Sequence, residues 1–207
     1  MLEELHLPLI IAAAFIAAAS PGPATLAIAG TSMETGRRNG MTLAMGIWTG
    51  SLIWSVTAAA GLSAIMLANV WLFEIGRYLG SAYLAYLAFR SARAAWKGGA
   101  PRANALGGAS WRLYAKGVAL HLTNPKAILF LGSLYAVGVP ANASLVQLAI
   151  VIAAVAIQNF LIFQGYALMF STPAMTRRYL ALRRWFEAAF AIGFGLASLK
   201  VLTARLG

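Results

Sequence analysis

Two short stretches of this chain set chemically capable groups inside otherwise apolar sequence: Ser20-Pro21-Gly22-Pro23, and His121-Leu122-Thr123-Asn124-Pro125-Lys126. A proline within a helix removes a backbone donor and leaves a carbonyl without its partner. Ser20 and Asn124 each stand directly before a proline, and both are residue types that cap helix N-termini, with proline favoured at the first helical position. Each pair therefore predicts the start of a new half-helix. Free N–H groups at such a start, with the positive end of the helix dipole, hold a carboxylate. Carbonyls freed before the prolines accept from an ammonium group. Ser20, Pro21, Gly22, Pro23, Asn124, Pro125 and Lys126 are thus the expected binding residues for a small amphoteric molecule such as an amino acid.

Lys126 sharpens this expectation. A lysine at the centre of a membrane helix costs about 2.5 to 3.5 kcal/mol, and the apolar residues of 118–137 return only about 3 to 5 kcal/mol. An intramembrane charge that expensive is a functional candidate, here as a carboxylate partner; snorkelling to the interface is the alternative.

The elements that must position these groups are membrane helices. The chain is 61% hydrophobic and 10% charged, outside the range of soluble domains. Uncharged runs at 7–33, 39–73 and 127–176 each exceed the roughly 20 residues that cross a hydrocarbon core. The pattern predicts an all-α polytopic membrane protein with about six spans, at roughly 5–31, 41–67, 72–92, 113–137, 144–170 and 185–202. The first is expected to be a retained span, since it lacks the basic start of a signal peptide. Pro125 lies nine residues beyond Lys116, which puts it roughly 14 Å deep, near the midplane. Three spans separate the first broken helix from the fourth, so the two run in opposite directions. Two inverted three-helix repeats follow, at 1–96 and 113–207, with broken helices at spans one and four and a linker at 97–112. A near-equal offset of small-xxx-small patterns, Gly46/Gly50 and Ala149/Ala153, agrees with that spacing.

Basic residues gather in the odd connections: Arg37 and Arg38, then Arg93 to Lys116, then Arg177 to Arg184. The positive-inside rule makes these cytoplasmic and both termini periplasmic. Lys200 and Arg205 break the rule, and a five-span topology stays open. The net charge of +11 is assigned to topology and anionic lipid, not to nucleic acid, for which the chain offers no soluble basic domain. With no Cys, no Asp, five Glu and two His, no metal site or cofactor is expected, and the composition argues against an enzyme.

Coupling or gating groups are expected among His121, Glu74, Arg77 and Glu34. His121 shares a helix face with Asn124 and can carry a proton near neutrality, although a lone histidine is more often a helix contact. Glu74 and Arg77 are three apart and can pair on one face, as a gate or as an interfacial pair of little weight. Tyr83, Tyr86, Gln158, Asn159 and Gln164 bond across helices or line a cavity. Gly46/Gly50 and Gly76/Gly80 permit close helix approach, within the chain or at a dimer face. Asn142-Ala-Ser144 has the form of a glycosylation acceptor and is read as chance.

These motifs resemble the lysine exporter and homoserine/threonine exporter (LysE/RhtB) family of amino-acid efflux carriers. The residues that carry the resemblance are SPGPATLAIAG at 20–30, ETGRRNGMTLAMGIWTG at 34–50, AAAGL at 58–62, GRYLGSAYLAYLAFRSAR at 76–93 and LTNPKAILF at 122–130. The resemblance implies a homo-oligomeric carrier, a dimer, of the bacterial inner membrane, exporting amino acids or close derivatives with coupling to the proton gradient. Many members look acidic just after the second glycine of span two, where this chain has Ser51. Two other classes compete with an alternating-access exporter: a small-solute or ion channel constricted at the broken helices, and a non-transporting membrane subunit.

Overall fold

A computed structural model describes residues 7–68, 70–97, 105–140 and 142–203, without the side chains of 62–77, 80, 137, 200 and 201. The described residues form eight helices and no strand: α1 (Leu7–Ala19), α2 (Pro23–Thr35), α3 (Arg37–Ala68), α4 (Val70–Lys97), α5 (Ser110–Leu122), α6 (Pro125–Gly138), α7 (Leu145–Phe170) and α8 (Pro173–Thr203). Two of them, α3 and α7, are long and apolar enough to cross a membrane, and α1 with α2 makes a third candidate, bent by 51° at its break. Large apolar side chains face outward, among them Leu161 and Leu196 at 64% exposure and Ile192 at 66%. A surface of that kind suits lipid and not water.

Local sequence explains each break. Pro21 and Pro23 alternate, and a residue before proline is pushed out of the α region. Gly22 is accordingly extended, with φ −163° and ψ 179°, and the helix resumes only at Pro23. This corrects the expectation that Ser20 caps the new half-helix. The N-cap is Gly22, and Thr25 Oγ1 reaches back to accept from the Gly22 N–H at 2.9 Å. At the second break the expected cap is present: Asn124 Oδ1 accepts from the Lys126 N–H at 3.1 Å, with Pro125 in the first helical position. Between α2 and α3 the chain turns on Gly36, whose φ of +90° suits only glycine. Ser144 and Gln147 cap α7 reciprocally, at 3.3 and 2.8 Å.

Helix α3 packs on α5, α7 and α2, while α4 packs on α8 and α6. The α3–α5 contact is a meeting of backbones. A Cβ on Gly46 would collide with the Tyr114 carbonyl, one on Gly50 would come within 2.8 Å of His121 Cβ, and one on Gly117 within 2.5 Å of the Leu43 carbonyl. The Gly46/Gly50 pair therefore serves an intramolecular approach. Polar pairs join the other layers. The Trp48 indole donates to the Ala156 carbonyl at 2.8 Å and Asn159 Nδ2 donates to Ser51 Oγ at 2.9 Å, tying α3 to α7. Ser81 and Ser198 donate to each other's carbonyls at 3.1 and 3.0 Å, tying α4 to α8.

Gly46→Val is expected to destabilise the detergent-solubilised protein by about 1 to 3 kcal/mol, the usual cost of overpacking. Gly61→Val, where an added Cβ meets no atom of the described residues within 4 Å, serves as the control. Thermal unfolding of the two purified variants makes the comparison.

Candidate functional site

The prolines leave carbonyls inside the helix bundle that need donors, since each unsatisfied group in an apolar interior costs several kcal/mol. Pro21 cannot bond to Ala17, and Ser20 Oγ donates to that carbonyl at 3.0 Å. Pro23 cannot bond to Ala19, and the Tyr166 hydroxyl of α7 donates there at 2.6 Å. Because the Lys126 N–H turns to its cap, the Leu122 carbonyl takes the Trp54 indole N–H of α3 at 3.3 Å. Each of these three carbonyls is thus satisfied by a side chain, two of them by side chains of neighbouring helices.

The remaining carbonyl joins the two breaks. Lys126 Nζ donates to the Ser20 carbonyl at 2.9 Å and also to Ser20 Oγ. The lysine stem lies against Gly22, where an added Cβ would sit 3.2 Å from Cδ and 3.3 Å from Nζ. The Phe194 ring of α8 has its centroid 6.0 Å from Nζ. The freed carbonyl expected to hold a ligand's ammonium is therefore occupied by an ammonium of the chain itself. Lys126 also stands in the first turn of α6, at the positive end of that helix, where a cation is disfavoured and an anion is welcome.

Lys126 forms part of the wall of a cavity of about 400 Å3 between the start of α2 and the helices α4, α6 and α8. That volume is in the usual range for small-ligand pockets, roughly 300–1,000 Å3. Ser20, Pro21, Gly22 and Pro23 line it, as do Arg90 and Ser91 from α4 and Arg183 and Glu187 from α8. Glu187 is buried, and Arg183 Nη2 stands 3.4 Å from its Oε1, one helical turn away. On the other side of Lys126 a smaller void of about 50 Å3 is lined by Ser51, His121, Asn124 and Asn159. His121 Nδ1 and Asn159 Oδ1 are buried there without a hydrogen-bond partner, and the void has room for water. Lys126 and Ser20 line both spaces.

Of the expected site residues, the structure brings Ser20, Pro21, Gly22, Pro23 and Lys126 to the large cavity and Asn124 to the small void, while Pro125 is exposed. His121 faces the void with its ring against Phe163. Glu34 is exposed at the end of α2. Glu74 and Arg77 fall within α4, but their side chains lie outside the described residues. Sequence reasoning missed Arg90, Arg183 and Glu187. The expected sixth span begins at 185, whereas α8 begins at Pro173 and carries the basic run 177–184 on a helix. The available signal was the spacing of Arg183 and Glu187, four apart, the helical interval for opposite charges.

The family model described as LysE type translocator matches residues 15–205, nearly the whole chain and both broken helices. The chain belongs to the LysE translocator family. It is 30% identical over 187 residues to the threonine efflux protein of Escherichia coli strain K12, covering 87% of this chain and 91% of that one. The threonine efflux protein of Salmonella typhi is 29% identical over the same shares. An uncharacterized membrane protein of Pseudomonas aeruginosa is 32% identical over 200 residues, 90% of this chain and 89% of its own. No solved structure matches the chain significantly. LysE membership makes this chain a membrane-embedded transporter and not an enzyme.

Asn124→Ala, which removes the cap of α6, is expected to cost about 1 kcal/mol of stability. Tyr166→Phe leaves the Ala19 carbonyl buried without its donor and is expected to cost about 1 to 3 kcal/mol. Denaturant unfolding of the purified variants in detergent measures both, and the larger loss belongs to Tyr166→Phe.

Proposed function

We propose that this LysE family member exports amino acids or close derivatives from the cytoplasm, by alternating access at the Lys126 site and with the proton gradient as driving force. The observation that carries the proposal is the Lys126 ammonium, anchored on Ser20 at the meeting of two proline-broken helices and on the wall of a cavity sized for a small ligand. An anion arriving there gains the lysine charge and the positive ends of α2 and α6 together. The threonine efflux relatives agree with an amino-acid substrate.

The transport reading takes six spans in two inverted repeats, α1/α2–α3–α4 and α5/α6–α7–α8. Several helix contacts support it. Exchanging the repeats turns the α3–α5 contact into α7–α1, α2–α7 into α6–α3 and α1–α6 into α5–α2, and all of these are present. The exchange leaves α3–α7 and α4–α8 unchanged as the central contacts. The symmetry is approximate: α3–α5 is more extensive than α7–α1, and α2–α3 and α4–α6 are stronger than their α6–α7 and α8–α2 counterparts. In a bacterial inner membrane, with cytoplasmic odd connections and as a dimer, such a carrier would use His121 as the proton-coupling candidate.

Cells fed mixed dipeptides and expressing the wild type are expected to release a few amino acids faster than cells without it, as profiled by mass spectrometry of the medium. Lys126→Ala should cut that excess at least tenfold while the protein still inserts. Undiminished export in Lys126→Ala contradicts the site, and non-saturable flux favours a channel.

A further inference from the structure

We infer that the cavity between α2, α4, α6 and α8 selects amino acids that carry a free α-ammonium and no cationic side chain, with Glu187 holding that ammonium and Lys126 the α-carboxylate. This inference rests on the exporter reading of the same site and narrows its substrate class.

The charges of the wall carry the argument. Three cations, Arg90, Lys126 and Arg183, line the cavity with one carboxylate, and Glu187 is the one acid among its described lining residues. Arg183 and Glu187 pair, which leaves two positive charges in excess. A zwitterion adds no net charge to such a space, whereas a basic side chain adds a third uncompensated cation beside the exposed Arg90 and the half-buried Lys126. Lysine-like substrates are excluded for that reason.

A cationic wall alone would favour any small carboxylic acid, and Glu187 supplies the discrimination. Its carboxylate is buried on α8 at 4% exposure and still forms part of the cavity wall. The Arg183 contact at 3.4 Å is long for a charge-assisted bond, typically about 2.7 to 2.9 Å. A carboxylate accepts from several donors at once, so a substrate ammonium has lone pairs to take. A site built to receive an ammonium rejects the analogue that lacks it, because the acceptor positions its buried carboxylate keeps for that group are then left unfilled. Leu87, Leu120 and Phe194 complete the wall with apolar surface for an uncharged side chain.

The test uses the full chain purified into proteoliposomes loaded with an equimolar mixture of the twenty L-amino acids and given the same mixture carbon-13 labelled outside. The exchange of each is read by mass spectrometry. For the wild type, lysine and arginine are expected to exchange at least tenfold more slowly than the fastest amino acid. The 2-hydroxy-acid analogue of that amino acid should compete at least tenfold less well than the amino acid itself. Glu187→Gln should bring the two competitors within about threefold of each other. Arg90→Gln, at an exposed position, removes one excess positive charge and should raise lysine exchange relative to the fastest substrate at least threefold. Lysine exchanging as fast as any other amino acid in the wild type overturns the inference and leaves the exporter reading intact. A tenfold preference for the amino acid over its hydroxy-acid analogue that survives Glu187→Gln overturns the role of Glu187. Absence of saturable exchange for all twenty overturns the exporter reading, and the inference with it.

Discussion

Backbone groups freed by proline must find partners where no water is at hand, and most of the architecture around the site follows from that requirement. Pro21 and Pro23 withhold donors from the Ala17 and Ala19 carbonyls, and the helix restarts at Pro23 and Pro125 leave the Ser20 and Leu122 carbonyls without a helical partner. The Ala19 carbonyl draws in Tyr166 from α7, the Leu122 carbonyl draws in Trp54 from α3, and the Ser20 carbonyl draws in Lys126 from the other broken helix. The donors come from other helices, so satisfying the breaks also fixes how α1 sits on α7 and how α5 sits on α3. Glycines at 46, 50 and 117 make that last approach feasible by letting backbone meet backbone.

The same constraint leaves a positive charge in an unusual place. Lys126 satisfies a carbonyl, yet it stands at the positive end of α6 and beside the start of α2, where the helix dipoles oppose it. Among the described residues its ammonium donates to Ser20 and to no carboxylate. In the proposed function a ligand's carboxylate would relieve that arrangement, by displacing Ser20 from the ammonium. Loss of the Lys126–Ser20 bond would uncouple the two broken helices, so under the proposed function substrate binding and helix movement would share one contact. Ser20 and Lys126 line both the large cavity and the small polar void, and that contact is therefore the partition between them.

Much of this was legible in the sequence, for definite reasons. The proline motifs were visible because proline in an apolar run has few structural uses, and Asn124 was read correctly as a cap because its side chain has the right length and acceptor. Ser20 was misread because a second proline two residues later forces Gly22 out of the helical region and delays the restart. The partners Tyr166 and Trp54 were out of reach, since nothing local marks which distant aromatic will supply a hydroxyl or an indole N–H. Glu187 and Arg183 were hidden by the assumption that a basic run is a connection. The structure continues α8 through it, and one face of that helix turns a surface-like charge pattern toward the cavity.

The chain contains no cysteine, so a single introduced thiol reports on the cavity without background. The most direct measurement is the alkylation rate of Ser91→Cys, on the cavity wall, by a membrane-permeant maleimide with and without the amino acids that the protein exports. Trp96→Cys, on the exposed outer face, serves as reference. The account predicts that the exported amino acids slow labelling at position 91 severalfold, leave position 96 unchanged, and lose their effect when Lys126→Ala is added. Equal labelling at position 91 with and without substrate, in a variant that still exports, would contradict a binding site built on Lys126 in this cavity.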